Sequence, residues 1–284
     1  MTIRGTGTLT PLHLVHSLAG ELTWLAPLSR LIEPERPLFG FAAPGLNAKG
    51  EPFTSMQAMA GAYLAAARAR QPRGPYVFGG YSFGGVVAYE MARQAQAANE
   101  TVDGLILIDS YTPHSTVMSA LRRWSREGIL VQSVSNMLAV EWKGMNLLAS
   151  GALPPDDPAG QVARATQHLL ETCDVHHSFD AIATLLENCR KVMEAHTSIL
   201  GAYRPAPPHD RLDALLIHNT HGFIGADNAL NLPKVDDFPD RESHGWDGYF
   251  INPPLRVPVD TEHFLMMRPP ALDKVAAAIN SHQG

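Results

Sequence analysis

The feature that most constrains this chain is a pentapeptide, Gly80-Tyr81-Ser82-Phe83-Gly84, set between two segments of different periodicity. Before it, Tyr76-Val77-Phe78 is a short strand-like run. After it, Val86, Val87, Tyr89, Met91 and Ala92 fall at helical spacing. A serine with glycines two residues away on each side fits a sharp strand-to-helix turn, because neighbouring backbone can then pass close by without meeting a Cβ. Such a turn lifts the Ser82 hydroxyl above a sheet. It also leaves the first N–H groups of the next helix, and the positive end of its dipole, facing any negative charge that develops there. The pentapeptide alone is a weak signal, and a plain βαβ turn is the alternative. The strand before it and the helix after it give it weight.

The surrounding chain predicts an α/β architecture. Residues 12–18, 37–43, 75–79 and 104–108 are short apolar runs, and helix-like segments fall between them, the clearest over residues 55–70 and 83–98. The run Gly104-Leu105-Ile106-Leu107-Ile108 has no polar alternation, which suits a strand buried on both faces of a parallel sheet. Strands and helices alternating at this spacing imply βαβ units. From residue 112 to 203 the pattern is helical without a convincing strand, clearest over residues 159–173 and 178–203, and it is broken by Pro154, Pro155 and Pro158. This is expected to be a helical insertion resting on the sheet. The α/β pattern returns with residues 212–218, 255–259 and a last helix over residues 270–281, with a polar, turn-rich loop over 221–244. Residues 2–8 are expected to be a flexible lead-in. A single domain over residues 1–284 is predicted, since α/β domains often reach this length.

Composition removes several function classes. A net charge of −6 offers no basic field to attract nucleic acid. There is no GxxxxGK[ST] and no GxGxxG after a strand, which argues against a nucleotide-binding module. Cys173 and Cys189 are too far apart for a CxxC redox or zinc motif and are expected to be buried or half-buried thiols. No stretch approaches the roughly 20 apolar residues of a membrane span, and residues 1–10 carry no signal-like apolar run, so a cytoplasmic protein is expected.

A serine hydroxyl needs a base, and the base needs an orienting acid. In folds with this turn the three groups run in the order serine, acid, histidine. His263 fits the base, since it follows the last predicted strand and precedes the last helix. His282 lies at the chain end and His244 lies before the last strand. Two acids compete. Asp109 ends the apolar run 104–108, where active-site groups collect in open α/β sheets. A carboxylate there would be costly without a partner, so we prefer it. Asp227, beyond the next strand, is the alternative. Asp260 and Glu262 are too near His263 in sequence to orient it well. For an oxyanion hole, one N–H should come from Phe83, after the serine. The other should come from the loop His16-Ser17-Leu18-Ala19-Gly20, with Leu18 the candidate and Ala19 the fallback.

With these residues in view, the chain resembles the thioesterase domains that end nonribosomal peptide synthetases and polyketide synthases. The matching segments are residues 12–20 (LHLVHSLAG), 79–93 (GGYSFGGVVAYEMAR), 105–113 (LILIDSYTP) and 262–266 (EHFLM), in family order. The resemblance implies an α/β-hydrolase fold, with a mostly parallel central sheet, helices on both faces and a helical lid over residues 112–203. It implies an acid after the strand that follows the elbow, which supports Asp109. It implies a serine-bound acyl intermediate, formed from a thioester on a phosphopantetheine arm and released by hydrolysis or macrocyclisation. The partner would be an acyl or peptidyl carrier domain, and no metal or organic cofactor is expected at the site. Arg122, Arg123 and Arg126 could face that carrier, although a solvated helix face is the plainer explanation. The chain departs from the family pattern at Ser17, where proline is usual, at Glu21, where a second glycine is usual, and at Thr261, where glycine is usual. Two other readings stand beside this one. The first is a stand-alone editing thioesterase or carboxylesterase. The second is a non-catalytic protein of the same fold that only binds.

Overall fold

A computed structural model of the chain describes residues 1–46, 50–116, 118, 166–167, 170–171, 178–208, 211–222 and 239–282. Seven strands form one sheet: β1 (Thr2–Arg4), β2 (Leu12–Val15), β3 (Leu38–Phe41), β4 (Tyr76–Tyr81), β5 (Val102–Ile108), β6 (Ala214–Asn219) and β7 (Leu255–Val259). Their spatial order is β1-β3-β2-β4-β5-β6-β7. All neighbours run parallel except β1, which pairs antiparallel with β3. The described helices are α1 (Leu25–Ser29), α2 (Met56–Arg68), α3 (Phe83–Ala97), α4 (Phe179–Ala202) and α5 (Ala271–Ser281). This is the fold class the alternation predicts.

The side chains of each strand alternate between two apolar layers, as the period of two requires. Tyr76 and Phe78 of β4, Leu105 and Leu107 of β5, and Leu216 of β6 face one layer with α2, α3 and the end of α4. Val77, Ile106, Ile108, Leu215 and Ile217 face the other with α1 and α5. Burial on both faces explains why these strands read as unbroken apolar runs. α2 and α4 begin with serine caps, Ser55 accepting from the Ala58 N–H and Ser178 from the Ala181 N–H. Each such cap typically contributes about 1 kcal/mol.

The order of the strands places the site. The chain runs from β2 to β3 on one side, then crosses to β4 on the other, so the sheet switches direction between β2 and β4. Ligands of open α/β sheets bind at such a point, beyond the carboxyl ends of the strands. The loop after β2 and the turn after β4 both open there.

Residues 2–8 correct the sequence expectation. Residues 2–4 form β1, Gly40 donates its N–H to the Met1 carbonyl, and the Arg4 guanidinium donates to the carbonyls of Ser29, Ile32, Glu33 and Arg36. An arginine holding four backbone oxygens, beside the single apolar contact of Ile3, stands in for the longer apolar run a pattern search looks for. Of the predicted insertion, α4 matches the helix expected over residues 178–203. Most of residues 159–173, the three prolines at 154, 155 and 158, Cys173, and Arg122, Arg123 and Arg126 lie outside the described residues, as does Asp227. Cys189 is buried in α4 as a free thiol, pushed up to about 12 by its burial. No helix among the described residues is long and apolar enough to cross a membrane.

Candidate active site

The two glycines of the pentapeptide are fixed by close approach. A Cβ on Gly80 would lie 2.3 Å from the Gly84 carbonyl carbon, and one on Gly84 would lie 2.4 Å from the Val15 carbonyl oxygen. Between them Ser82 adopts φ 57° and ψ −120° as the residue preceding α3. For a residue with a side chain this backbone costs roughly 1–3 kcal/mol, which the surrounding structure must sustain. Part of that support is the Ser82 N–H, which donates to the Ile108 carbonyl at 2.8 Å. The serine is thus a strained, partly exposed residue at the mouth of the sheet.

Strand register brings the acid beside it. Tyr81 pairs with Ile108 across β4 and β5, so Ser82 and Asp109 are the next residues beyond two adjacent strand ends. Asp109 is fully buried and also left-handed, at φ 47°. Its carboxylate accepts from His263 Nδ1 at 2.7 Å and from the Asn219 backbone N–H at 3.0 Å. The Asn219 side-chain amide donates to both carboxylate oxygens at 2.8 Å and to the Tyr111 hydroxyl at 2.9 Å. The orientation of that amide is set by its oxygen, which accepts from the Gly222 N–H. Burial, the largest influence, disfavours the charged form of Asp109. The hydrogen bond and charge of His263, the His244 ring and the Asn219 N–H together outweigh it and hold the carboxyl below its ordinary range.

His263 follows β7 and opens a short 3-10 turn, His263–Leu265. Its N–H donates to the Gly222 carbonyl, and its own carbonyl accepts from the Tyr81 hydroxyl at 2.7 Å. The Tyr81 ring stacks on the imidazole at 5.1 Å between centroids. The residue immediately before Ser82 therefore grips the predicted base from two directions. Since a carboxylate only accepts, Nδ1 carries the proton and Nε2 is left as the basic nitrogen.

The loop after β2 is a tight turn in which the Gly20 N–H donates to the Ser17 carbonyl. Among the described residues, neither the Leu18 nor the Ala19 N–H enters a backbone hydrogen bond. The Phe83 N–H, first in α3, has no acceptor within its helix. The His16 ring stacks on Phe83 at 5.9 Å, so turn and elbow adjoin. The departures at Ser17 and Glu21 answer each other: the Ser17 hydroxyl donates to Glu21 at 2.8 Å, and Glu21 accepts from the Thr23 N–H at 2.7 Å.

Sequence reasoning missed several neighbours. Asn219 is the last residue of β6 and Asp109 directly follows β5, each a polar residue at the end of a mostly apolar run, and that was the available signal for Asn219. His244 was set aside for its position in the chain, yet it is fully buried, stacked on Tyr111 at 3.6 Å, with Nδ1 3.6 Å from Asp109. That separation is too long for a hydrogen bond. Burial holds His244 neutral, down to about 3, against the pull of Asp109. His282 closes α5, away from these groups, and Asp260 pairs instead with His221 at 2.9 Å. Among the described residues no group of three or more His, Cys, Asp or Glu is arranged for a metal ion.

The thioesterase domain family matches residues 10–281, nearly the whole chain. The chain belongs to that family. Among its curated relatives, an inactive atromentin synthetase of Paxillus involutus is 31% identical over 246 residues, covering 82% of this chain and 25% of the relative. A nonribosomal peptide synthetase of Aspergillus terreus is 47% identical over 98 residues, covering 34% of this chain and 10% of the relative. The thioesterase domain thus spans a quarter or less of the length of these relatives, which are synthetases of the nonribosomal peptide type. Among solved structures, the NocB thioesterase domain in covalent complex with a fluorophosphonate nocardicin G analogue has a TM-score of 0.65 at 21% identity, covering 100% of this chain and 99% of that one. A four-domain nonribosomal peptide synthetase, holo-AB3403, has a TM-score of 0.73 at 22% identity, covering 99% of this chain and 20% of that one. At these identities the structures establish the fold.

Proposed function

We propose that this thioesterase domain off-loads an acyl, peptidyl or polyketide chain from a carrier domain. Ser82 attacks the thioester carbon of the chain on the phosphopantetheine arm while His263 Nε2 takes its proton. The tetrahedral oxyanion is held by the N–H groups of Phe83 and Leu18. It collapses by breaking the carbon–sulfur bond, and the thiol leaves with the proton from His263. Water, or a hydroxyl or amine of the chain itself, then attacks the Ser82 ester with His263 again as base, giving a free acid or a ring. Asp109 keeps His263 in the required tautomer and stabilises the imidazolium. The steps use protein groups, the pantetheine thioester and water or the chain's own nucleophile.

The observation that carries this reading is the 2.7 Å bond between Asp109 and His263, on a carboxylate placed by strand register next to Ser82. The relatives of synthetase type support a carrier domain as partner. One relative is named an inactive synthetase, which gives a non-catalytic reading its own footing. The two are separated by incubating the wild-type protein and Ser82→Ala with a series of acyl-N-acetylcysteamine thioesters and with an acyl-loaded carrier domain. Release of thiol by the wild type alone supports off-loading. The product mass then distinguishes acid from ring, which differ by one water. Thiol release that is the same for both proteins would overturn it.

A further inference from the structure

The turn that carries the proposed oxyanion donors is gripped from outside by α4, a helix more than 150 residues later in the chain. His196 of α4 is fully buried, and its Nδ1 lies 2.8 Å from the Leu18 carbonyl oxygen. A carbonyl only accepts, so Nδ1 carries the proton. Two turns earlier, the Cys189 thiol lies 3.7 Å from the Ala19 carbonyl. A Cβ on Gly20 would come within 2.9 Å of Val192. The ring of His196 stacks on both His16 and Phe83, at 4.8 and 4.6 Å between centroids, and those two rings also stack on each other. His16 makes the matching bond within the turn, its Nδ1 lying 2.7 Å from the Ser17 carbonyl.

Each carbonyl shares a rigid, planar peptide unit with the N–H of the next residue. Holding the Ser17 oxygen fixes the plane that carries the Leu18 N–H. Holding the Leu18 oxygen fixes the plane that carries the Ala19 N–H. Leu18 is therefore clamped by both of its flanking peptides, one through His16, which belongs to the turn, and one through His196, which does not.

We propose that His196 is a positioning residue for the oxyanion hole, clamping the Leu18–Ala19 peptide so that the turn presents its N–H groups toward Ser82, and that the seat of α4 is thereby coupled to the chemical step. The inference rests on the off-loading reading above. Burial keeps the imidazole neutral, with its titration lowered to about 4, so the single-donor tautomer persists at neutral pH.

The test compares two substitutions in the otherwise intact protein, with steady-state kinetics on the acyl-N-acetylcysteamine thioester that the wild type turns over fastest. His196→Phe keeps a ring against His16 and Phe83 but removes the donor. His196→Asn loses the ring but keeps an N–H near the position of Nδ1. Removing one oxyanion donor typically costs about 100- to 1,000-fold in kcat, and loss of its aim should cost about 10- to 100-fold. The expected result is that fall in kcat for His196→Phe with KM nearly unchanged, and a kcat within about threefold of wild type for His196→Asn. The reverse ranking, with Phe active and Asn impaired, would show that His196 acts by packing alone and would overturn the proposal. If His196→Phe yields no folded protein, a tenfold or greater loss in His196→Asn overturns it and near-wild-type turnover supports it. A wild type with no Ser82-dependent turnover would instead refute the off-loading reading itself, and this inference with it.

Discussion

Acid should destabilise this protein well above the pH at which its carboxylates titrate. Every histidine with a resolved shift is held below its ordinary value, and burial is the first cause in each: His13, His16, His196, His218, His244 and His282. A histidine that is neutral when folded but protonates freely at about 6.5 when unfolded makes the unfolded state bind more protons as pH falls. Stability is unaffected above that value and declines below it, until the folded-state value is reached. Burial lowers His244 to about 3 and His196 to about 4. Between pH 6.5 and pH 5 each unit costs about 1.4 kcal/mol per histidine, or about 2 kcal/mol apiece and about 4 kcal/mol for the pair. Domains of this kind are stable by only about 5–15 kcal/mol, so the loss is a large fraction. The assay is urea unfolding followed by tryptophan fluorescence at pH 8, 7, 6 and 5. The expected curve is flat from 8 to 7 and then falls by about 4 kcal/mol or more by pH 5. In His244→Asn, which suits the left-handed backbone at φ 50°, the slope below pH 6 should ease by about 1.4 kcal/mol per unit, whatever the variant's stability at pH 8. Equal stability at pH 7 and pH 5 would refute the premise that these rings are buried neutral.

Three further outcomes follow from the geometry. Asn219→Leu removes both side-chain hydrogen bonds to the buried Asp109 carboxylate and should lower unfolding free energy by about 2–4 kcal/mol. It should also reduce Ser82-dependent turnover, and a stability change under about 0.5 kcal/mol would show that the amide is not a working donor. Gly84→Ala places a Cβ 2.4 and 2.5 Å from the Val15 and His16 carbonyl oxygens and should cost about 3 kcal/mol in thermal or urea unfolding, with loss of turnover from a displaced Ser82. Asp109→Asn preserves the shape of the acid but favours the wrong imidazole tautomer. It should cut kcat by about 10,000-fold at neutral pH while leaving KM little changed, as measured on any thioester the wild type accepts.

The sheet was legible because its strands are buried on both faces. Leu105, Ile106, Leu107 and Ile108 could belong to little else, and a charged residue directly after them had to be paired. The same reasoning, applied to the His218-Asn219 pair that ends β6, would have found the amide that holds Asp109. β1 left little apolar trace, since only Ile3 packs on the core and Arg4 holds the strand through backbone oxygens. His244 could not be placed from sequence. It reaches Asp109 through a left-handed backbone in a long return of the chain, and neither hydrophobic spacing nor motif order encodes that approach. His196 lay within reach. It falls on the buried stripe of α4 with Cys189, Val192, Met193, Ile199 and Leu200, where an apolar residue is the norm, and an imidazole there calls for a polar partner. Which partner depends on the packing of α4 against a turn far away in the chain, and the sequence carries no local sign of it.

The central claim is that Ser82 forms the acyl-enzyme. It is tested most directly by quenching the wild-type protein within its first turnovers on an acyl-N-acetylcysteamine thioester and weighing the intact chain, with Ser82→Ala beside it. The account predicts a gain equal to one acyl group on the wild type alone, mapped by peptide fragmentation to the segment holding Ser82. An adduct at another residue, or turnover that persists in Ser82→Ala, would contradict it.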